Sequence, residues 1–217
     1  DIVNSLEAFE KLENDWNSLY QKCSDLSVFQ SFIFNFYSWK FLLQDEGKLF
    51  IIVFYEKNNL VAIFPTYIDK KRTLRFINDS HVDFCDIVND STAPFKLFKS
   101  FEKIIWKHPK IRSTILKNMN NVKTASQLNY HFKTKKSLRS DIQHSSLLLD
   151  DVQFNHLNSS ERSELKRIQK KWESSRKEWQ EFDHKTVDSL RKKMIDSGMR
   201  NDSFLNESFM MLLHKLF

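Results

Sequence analysis

The sequence predicts an α/β fold in which a mixed, mainly antiparallel sheet is flanked by helices and followed by a helical segment. In the first 150 residues, apolar residues at helical spacing alternate with short runs rich in Phe, Ile and Val, which are typical of strands. After residue 150 only the helical spacing continues. We therefore predict an α/β domain over residues 1–150 and a helical segment over residues 151–217.

Two helices are predicted at the start of the chain. Ser5 is a suitable N-cap for the first, over residues 6–20, and an aromatic-rich stretch over residues 31–44 predicts the second. The apolar stripe of the first helix consists of Leu6, Phe9, Leu12, Trp16 and Leu19. Asp45-Glu46-Gly47 then predicts a break before the sheet.

Three strands follow, over residues 48–56, 59–68 and 73–77, and they predict an antiparallel meander. Lys57-Asn58-Asn59 is typical of the short turn of a hairpin between the first two. The apolar residues 84–88 fit either a fourth strand or an irregular segment.

A helix over residues 94–107 begins near Pro94 and is ended by Pro109. The remaining elements of this domain are predicted as a strand, a short helix and two closing strands, over residues 112–116, 122–131, 132–138 and 145–149.

In the second segment, Asn158 or Ser159 is expected to cap a long basic helix over residues 161–182. Its apolar stripe is Leu165, Ile168, Trp172 and Trp179. We expect this stripe to pack on the first domain or on a part of the protein beyond this sequence. A membrane surface and a partner helix are the alternatives.

The net charge of +6 is concentrated in residues 96–139, which hold twelve Lys or Arg and one acid, Glu102. Such a zone could contact phosphate, an acidic sugar or a membrane surface, although the simpler interpretation of its lysines is a solvated face. Phe98, Phe101 and Trp106 also lie there, but their spacing places them on an apolar helix stripe, so nucleic acid is not the expected partner.

The two cysteines, Cys23 and Cys85, do not indicate a disulfide framework, which favours a reducing compartment. No apolar run approaches the roughly twenty residues that a transmembrane helix needs. No signal peptide is recognised either. We therefore expect a cytoplasmic protein without a transmembrane segment.

Several stretches carry a resemblance to a known family. In the first half they are residues 12–19 with their Trp and Leu, Phe29-Gln30-Ser31 followed by Trp39, and residues 60–65, which end in Pro65. Residues 74–77 then lead to Asp83-Phe84-Cys85-Asp86. In the second half they are residues 157–167 and residues 201–213. Together with the element order, they resemble the CelD/BcsL-type acetyltransferase-like proteins, a branch of the GNAT superfamily linked to bacterial exopolysaccharide and cellulose production.

This resemblance implies a GNAT-like fold and two GNAT-like halves, of which the first is usually degenerate. Residues 1–150 would form that first half, and residues 151–217 the opening helices of the second, whose strands and phosphate loop are not in this sequence. The implied reaction is acetyl transfer from acetyl-CoA, or another acyl-CoA, to a hydroxyl or amine of a sugar or glycan precursor. A partner chain could supply the missing half, and the apolar faces predicted in residues 161–217 separately suggest a homodimer.

The residues themselves do not predict a CoA site. GNAT enzymes hold the CoA pyrophosphate with backbone N–H groups of a Gly-rich turn, because glycine lets the backbone approach phosphate closely. The corresponding residues 87–95 contain no glycine. We therefore predict no cofactor-binding residue, and expect that this chain alone does not bind acetyl-CoA in the usual way. The alternative function is a non-catalytic module whose basic helices bind a partner protein or an anionic polymer.

His81, Asp83 and Cys85 alternate and would share one face of an extended segment. No fourth zinc ligand is evident, so no metal site is predicted. The resemblance implies a polar pocket around Asp83 and Asp86 for a hydroxyl or amine of the substrate. The simpler interpretation is a turn whose carboxylates accept backbone N–H groups.

No catalytic residue is selected by spacing, although Glu56, His81 and Asp86 are candidates for a general base. Arg162 and Arg167 on the basic helix are candidates for binding an anionic group. The candidate substrate-binding residues are therefore His81, Asp83, Asp86, Arg162 and Arg167.

Overall fold

The structure is a computed structural model that describes residues 1–23, 26–82, 84–90, 96–119, 158–174, 183–201 and 205–216. It confirms the mixed α/β class with mainly antiparallel strands. The strands in the described residues are β1 (Ile2–Val3), β2 (Gly47–Leu49), β3 (Ile51–Glu56), β4 (Asn59–Phe64), β5 (Thr66–Asp69), β6 (Thr73–Phe76), β7 (Val88–Asn89) and β8 (Ser113–Ile115). The α-helices are α1 (Leu6–Glu10), α2 (Glu13–Lys22), α3 (Phe32–Ser38), α4 (Lys96–Lys107), α5 (Ser159–Ser174), α6 (His184–Asp196) and α7 (Glu207–Leu216).

One long hairpin bends in the middle and thereby contributes to two four-stranded sheets. Its first arm is β2 followed by β3, and its second arm is β4 followed by β5. The sheet orders are β1-β3-β4-β7 and β2-β5-β6-β8. Phe50 and Pro65 occupy the bend, and the Phe50 N–H donates to the Thr66 carbonyl at 3.2 Å. Each of the first two predicted strands is therefore divided in two, because Pro65 has no N–H for a strand ladder.

The short hairpin turn lies where it was predicted, but it has two residues, because Asn59 belongs to the strand. Glu56 pairs with Asn59, and the two residues between them, Lys57 and Asn58, have φ values of 47° and 68°. Two left-handed residues in succession match the right-handed twist of the strands that they connect.

A parallel strand pair lies in the second sheet. β6 pairs with β8 in the register Thr73↔Ser113 to Arg75↔Ile115, and α4 lies in the connection between them. The buried face of α4 includes Phe101, whose ring stacks on Phe64 at a centroid distance of 3.9 Å. Lys96 and Lys99 are exposed on the same helix. This division confirms the predicted stripe at Phe98 and Phe101, but the prediction was wrong for Trp106, which is 59% exposed.

The first predicted helix is two helices, because α1 ends at Glu10 and α2 begins at Glu13. The predicted cap is confirmed, since the Ser5 side chain accepts from the Ala8 N–H at 3.2 Å. The second predicted helix is α3 followed by a π-helical turn, Trp39–Leu43. Both helical regions contribute to the core that covers the first sheet.

In the C-terminal segment, α7 packs against α3 and the π-helical turn and buries Leu212. By contrast, every α5 side chain that the structure describes is exposed, including Leu165 at 37% and Ile168 at 50%. The expectation that these two residues pack on the first domain is wrong. Asn158 does cap α5, because its Oδ1 accepts from the Glu161 N–H at 2.9 Å.

Other predictions fall outside the described residues. They are the helix over residues 122–131, the two closing strands, the start of the helix at Pro94, the side chains of Trp172 and Trp179, and residues 175–182. Nothing tests the division at residue 150, which stays a prediction. None of the helices in the described part of the chain combines the length and hydropathy of a membrane span.

Candidate functional site

Ligands of open α/β sheets commonly bind beyond the carboxyl ends of parallel strands. Here those ends belong to β6 and β8, and the loops that follow them contact each other. The Cys85 N–H donates to the Asn118 carbonyl at 2.7 Å, and Cys85 forms an isolated parallel bridge with Met119. We call the described residues of these loops, 77–82, 84–87 and 116–119, the carboxyl edge.

An ion pair with a buried carboxylate anchors this edge. Arg75 Nη2 lies 2.8 Å from Asp79 Oδ2, and Arg75 Nε donates to Asp79 Oδ1 at 3.4 Å. The Asp79 side chain is 1% exposed. Burial raises the pKa of Asp79, although the Arg75 charge opposes that increase. Burial and the nearby Asp79 charge also raise the pKa of Tyr67 to about 12, so its phenol stays protonated.

Side-chain amides hold the backbone of the edge. Asn118 Nδ2 donates to the carbonyls of Asp79 and Val82 at 3.1 and 2.8 Å, and Gln30 Nε2 donates to the Phe84 carbonyl at 3.0 Å. Buried carbonyl groups need such partners where no strand supplies them. The loop is thereby tied both to the 3-10 turn Val28–Gln30, which precedes α3, and to the segment after β8.

His81 extends from this fixed loop to solvent. Its Nδ1 lies 3.0 Å from Ser80 Oγ, and its ring centroid lies 6.3 Å from that of Phe209 on α7. Desolvation lowers the pKa of His81 below its ordinary value, while the Asp79 charge opposes that decrease. The imidazole is therefore mainly neutral at neutral pH and has a nitrogen that can accept a proton.

Asp86 and Cys85 have structural surroundings in the same loop. The Asp86 side chain is buried and accepts from the Ile87 N–H at 2.8 Å, which agrees with the turn interpretation. Burial raises the pKa of Cys85 to about 12, so its thiol is protonated and a poor metal ligand. Asp83 lies outside the described residues. No cluster of three or more metal-binding side chains occurs among the residues that the structure places.

The other two predicted residues lie on α5. Arg162 is exposed there, and Arg167 pairs with Glu164 at 2.6 Å on the same exposed helix. The structure thus places His81 and Asp86 in one loop and Arg162 and Arg167 on another element, and their proposed roles stay predictions.

Arg75, Asp79 and Asn118 were not among the predicted residues. Asp79 follows Arg75 by four positions, but this spacing indicates a pair only on a helix. Asn118 is 36 residues from Val82, whose carbonyl it binds, and no sequence motif joins the two.

Comparisons of the chain with protein-family models, with curated proteins and with solved structures found no match. The class of this protein therefore follows from its fold alone. It is a mixed α/β protein with a bent hairpin and, in the described residues, a parallel pair of strands, β6 and β8.

Proposed function

We propose that this chain belongs to an acyltransferase-like protein of the GNAT superfamily and recognises the acyl acceptor at its carboxyl edge. The acceptor would be a hydroxyl or amine of a sugar in bacterial polysaccharide or cell-envelope biosynthesis. The observation that carries the proposal is His81, a mainly neutral imidazole that reaches solvent from a loop fixed by the Arg75–Asp79 pair.

The strand order supports this proposal. The resemblance implies a three-strand meander, a crossover helix and a strand, which is the order of β2–β3, β4–β5, β6, α4 and β8, with the short β7 between β6 and α4. In a β-α-β crossover the helix begins on the side of the strands' carboxyl ends. The exposed Lys96 and Lys99 at the start of α4 therefore add positive charge on the side where His81 lies.

Among the described residues, only the positive charge of the lysines suits the binding of an acyl-CoA. Lys96 and Lys99 would attract its phosphates, but no described glycine lets the backbone approach them in this region. When bound, acyl-CoA supplies the activated acyl group. We propose that its binding needs a part of the protein other than this chain.

The acceptor chemistry follows from the His81 surroundings. A neutral imidazole nitrogen accepts a hydrogen bond from a sugar hydroxyl or amine. It would take up that group's proton if the group replaced the CoA sulfur on the acyl carbon, and the imidazolium would then return the proton to the departing thiolate. Asp79, which interacts electrostatically with His81, stabilises the resulting imidazolium. The anchored loop holds the base in place.

Titration calorimetry of the full chain with cellotriose and with a glucosamine trisaccharide tests acceptor recognition. We expect His81→Ala to weaken binding of the preferred sugar about tenfold, the value of one lost hydrogen bond. His81→Gln, which keeps a hydrogen-bonding group, should retain most of the affinity. His214→Ala on the exposed face of α7 is the matched control. Equal affinity of wild-type and His81→Ala, or no binding of either sugar, would contradict the proposal.

A second function is favoured by the exposure of α5. The helix carries five basic and three acidic residues, and no described side chain on it is buried. We propose that it binds an anionic polymer, which would account for a charged helix that packs on nothing described.

Alginate binding tests this second function. We expect affinity that falls steeply with salt, and a further loss of about tenfold in the triple variant Arg162→Gln/Lys166→Gln/Lys170→Gln. The variant Lys11→Gln/Lys22→Gln/Lys71→Gln removes the same charge elsewhere. Equal losses in both variants would show an effect of net charge alone and would contradict a role for α5.

A further inference from the structure

A cavity of about 430 Å³ lies where the long hairpin bends. Its walls come from the N-terminal strand, the π-helical turn, β2, the end of β5 and the segment after α4. We call it the bend cavity. Its volume is within the range of small-molecule sites.

The floor and the rim of the bend cavity differ in chemistry. Trp39, Leu49, Phe50 and Ile68 form an apolar floor and are each 4–6% exposed. Lys48 and Lys110 lie on the rim from two different elements and are exposed. Neither lysine forms an ion pair in the described part of the chain, and no lining residue there carries a carboxylate.

The segment that carries Lys110 is held in place. The Arg72 guanidinium donates to the carbonyls of Pro109 and Lys110, the second at 3.2 Å. The Arg112 N–H donates to the Arg72 carbonyl at 2.8 Å. The rim is thus preorganised, which lowers the entropy that binding costs.

His108 contributes its ring to the wall of the cavity. Its Nδ1 is buried and makes no hydrogen bond with any described residue. Its ring centroid lies 4.6 Å from that of Phe50. The ring and Phe50 together extend the apolar floor of the cavity.

We propose that the bend cavity binds a small amphiphilic anion. Its carboxylate or phosphate group lies between Lys48 and Lys110, and its apolar body covers the floor. His108 and Lys110 precede β8, so the cavity lies at the amino end of the parallel pair, opposite the carboxyl edge. The proposal does not depend on acceptor recognition at His81.

Titration calorimetry of the full chain with four compounds measures how much the anionic group and the apolar body each contribute to affinity. Octanoate has both the anion and the apolar body, octanol lacks the charge, and acetate lacks the body. We expect saturable octanoate binding at least about tenfold tighter than that of octanol or acetate. Octyl phosphate identifies the preferred head group, since it competes with octanoate for one site. Equal binding of octanol and octanoate, or no saturable octanoate binding, would overturn the proposal.

The double variant Lys48→Gln/Lys110→Gln assigns binding to this cavity. Both side chains are exposed, so the variant is expected to fold, and its octanoate affinity should fall about tenfold or more. Lys22→Gln on the exposed face of α2 should leave it unchanged. An unchanged affinity in the double variant would place any octanoate site elsewhere and overturn the assignment.

Discussion

Replacement of Trp16 by alanine is expected to lower the free energy of unfolding by about 3–5 kcal/mol. The Trp16 side chain is 0% exposed, and its Nε1–H donates to the Gln30 carbonyl at 3.0 Å. Its ring stacks on Phe9 at 5.6 Å and meets Phe32 edge-on at 5.9 Å. The alanine variant removes these contacts and leaves a cavity. Urea denaturation measures the loss.

Trp106→Ala is the matched control for this core substitution. Trp106 is 59% exposed on α4, so its removal should change the free energy of unfolding by less than about 1 kcal/mol. Trp16→Phe should fall between the two variants, because it keeps much of the ring volume but not the hydrogen bond. Losses of similar size in Trp16→Ala and Trp106→Ala would contradict the core described here.

The second large effect is expected from Arg75→Met, which removes one partner of the ion pair at the carboxyl edge. The Asp79 carboxylate would then be buried without its cation, which costs about 3–5 kcal/mol of stability. Asp69, 3.9 Å from Arg75, would lose the same neighbour. Urea denaturation at neutral pH measures the effect, with Arg112→Met at an exposed position as the control.

The destabilisation should depend on pH in a defined direction. Burial already raises the pKa of Asp79 above its ordinary 3.8, and removal of Arg75 raises it further. A group whose pKa is raised in the folded state loses its stabilising contribution as the pH rises through that value. The penalty of Arg75→Met should therefore be largest at neutral pH and shrink as the pH falls towards 3.8. In the double variant Arg75→Met/Asp79→Asn this pH dependence should disappear, and its persistence would show that Asp79 is not the responsible group.

The spacing of apolar residues predicted where helices and strands lie better than it predicted the breaks within them. The spacing of Phe9, Leu12 and Trp16 predicted helix correctly, but the break between α1 and α2 falls inside that apolar pattern. The bend at Phe50 has no local signal, because one apolar residue inside an apolar run looks like continuous strand. Pro65 did carry a signal, since proline interrupts a strand ladder.

The sequence predicted some residues of the carboxyl edge, because local residue types select single segments but not contacts between them. The stretch from His81 to Asp86 was selected from its residue types, and the structure places His81 at solvent and Asp86 in a buried turn. Arg75 belongs to a strand and Asp79 to the loop after it, so their ion pair depends on the path of the backbone. The bend cavity joins residues from five separate segments, and only the tertiary fold brings them together.

The most direct test of acceptor recognition is a pH titration of the His81 Cε1–H resonance by NMR, with and without cellotriose or the glucosamine trisaccharide. Without sugar, the pKa of His81 is expected below 6.5. A sugar that binds the neutral imidazole should shift the resonance saturably and lower that pKa further, while the His214 resonance stays unchanged. A His81 resonance that neither sugar moves, or a pKa that rises on binding, would contradict His81 as the proton-accepting group of the site.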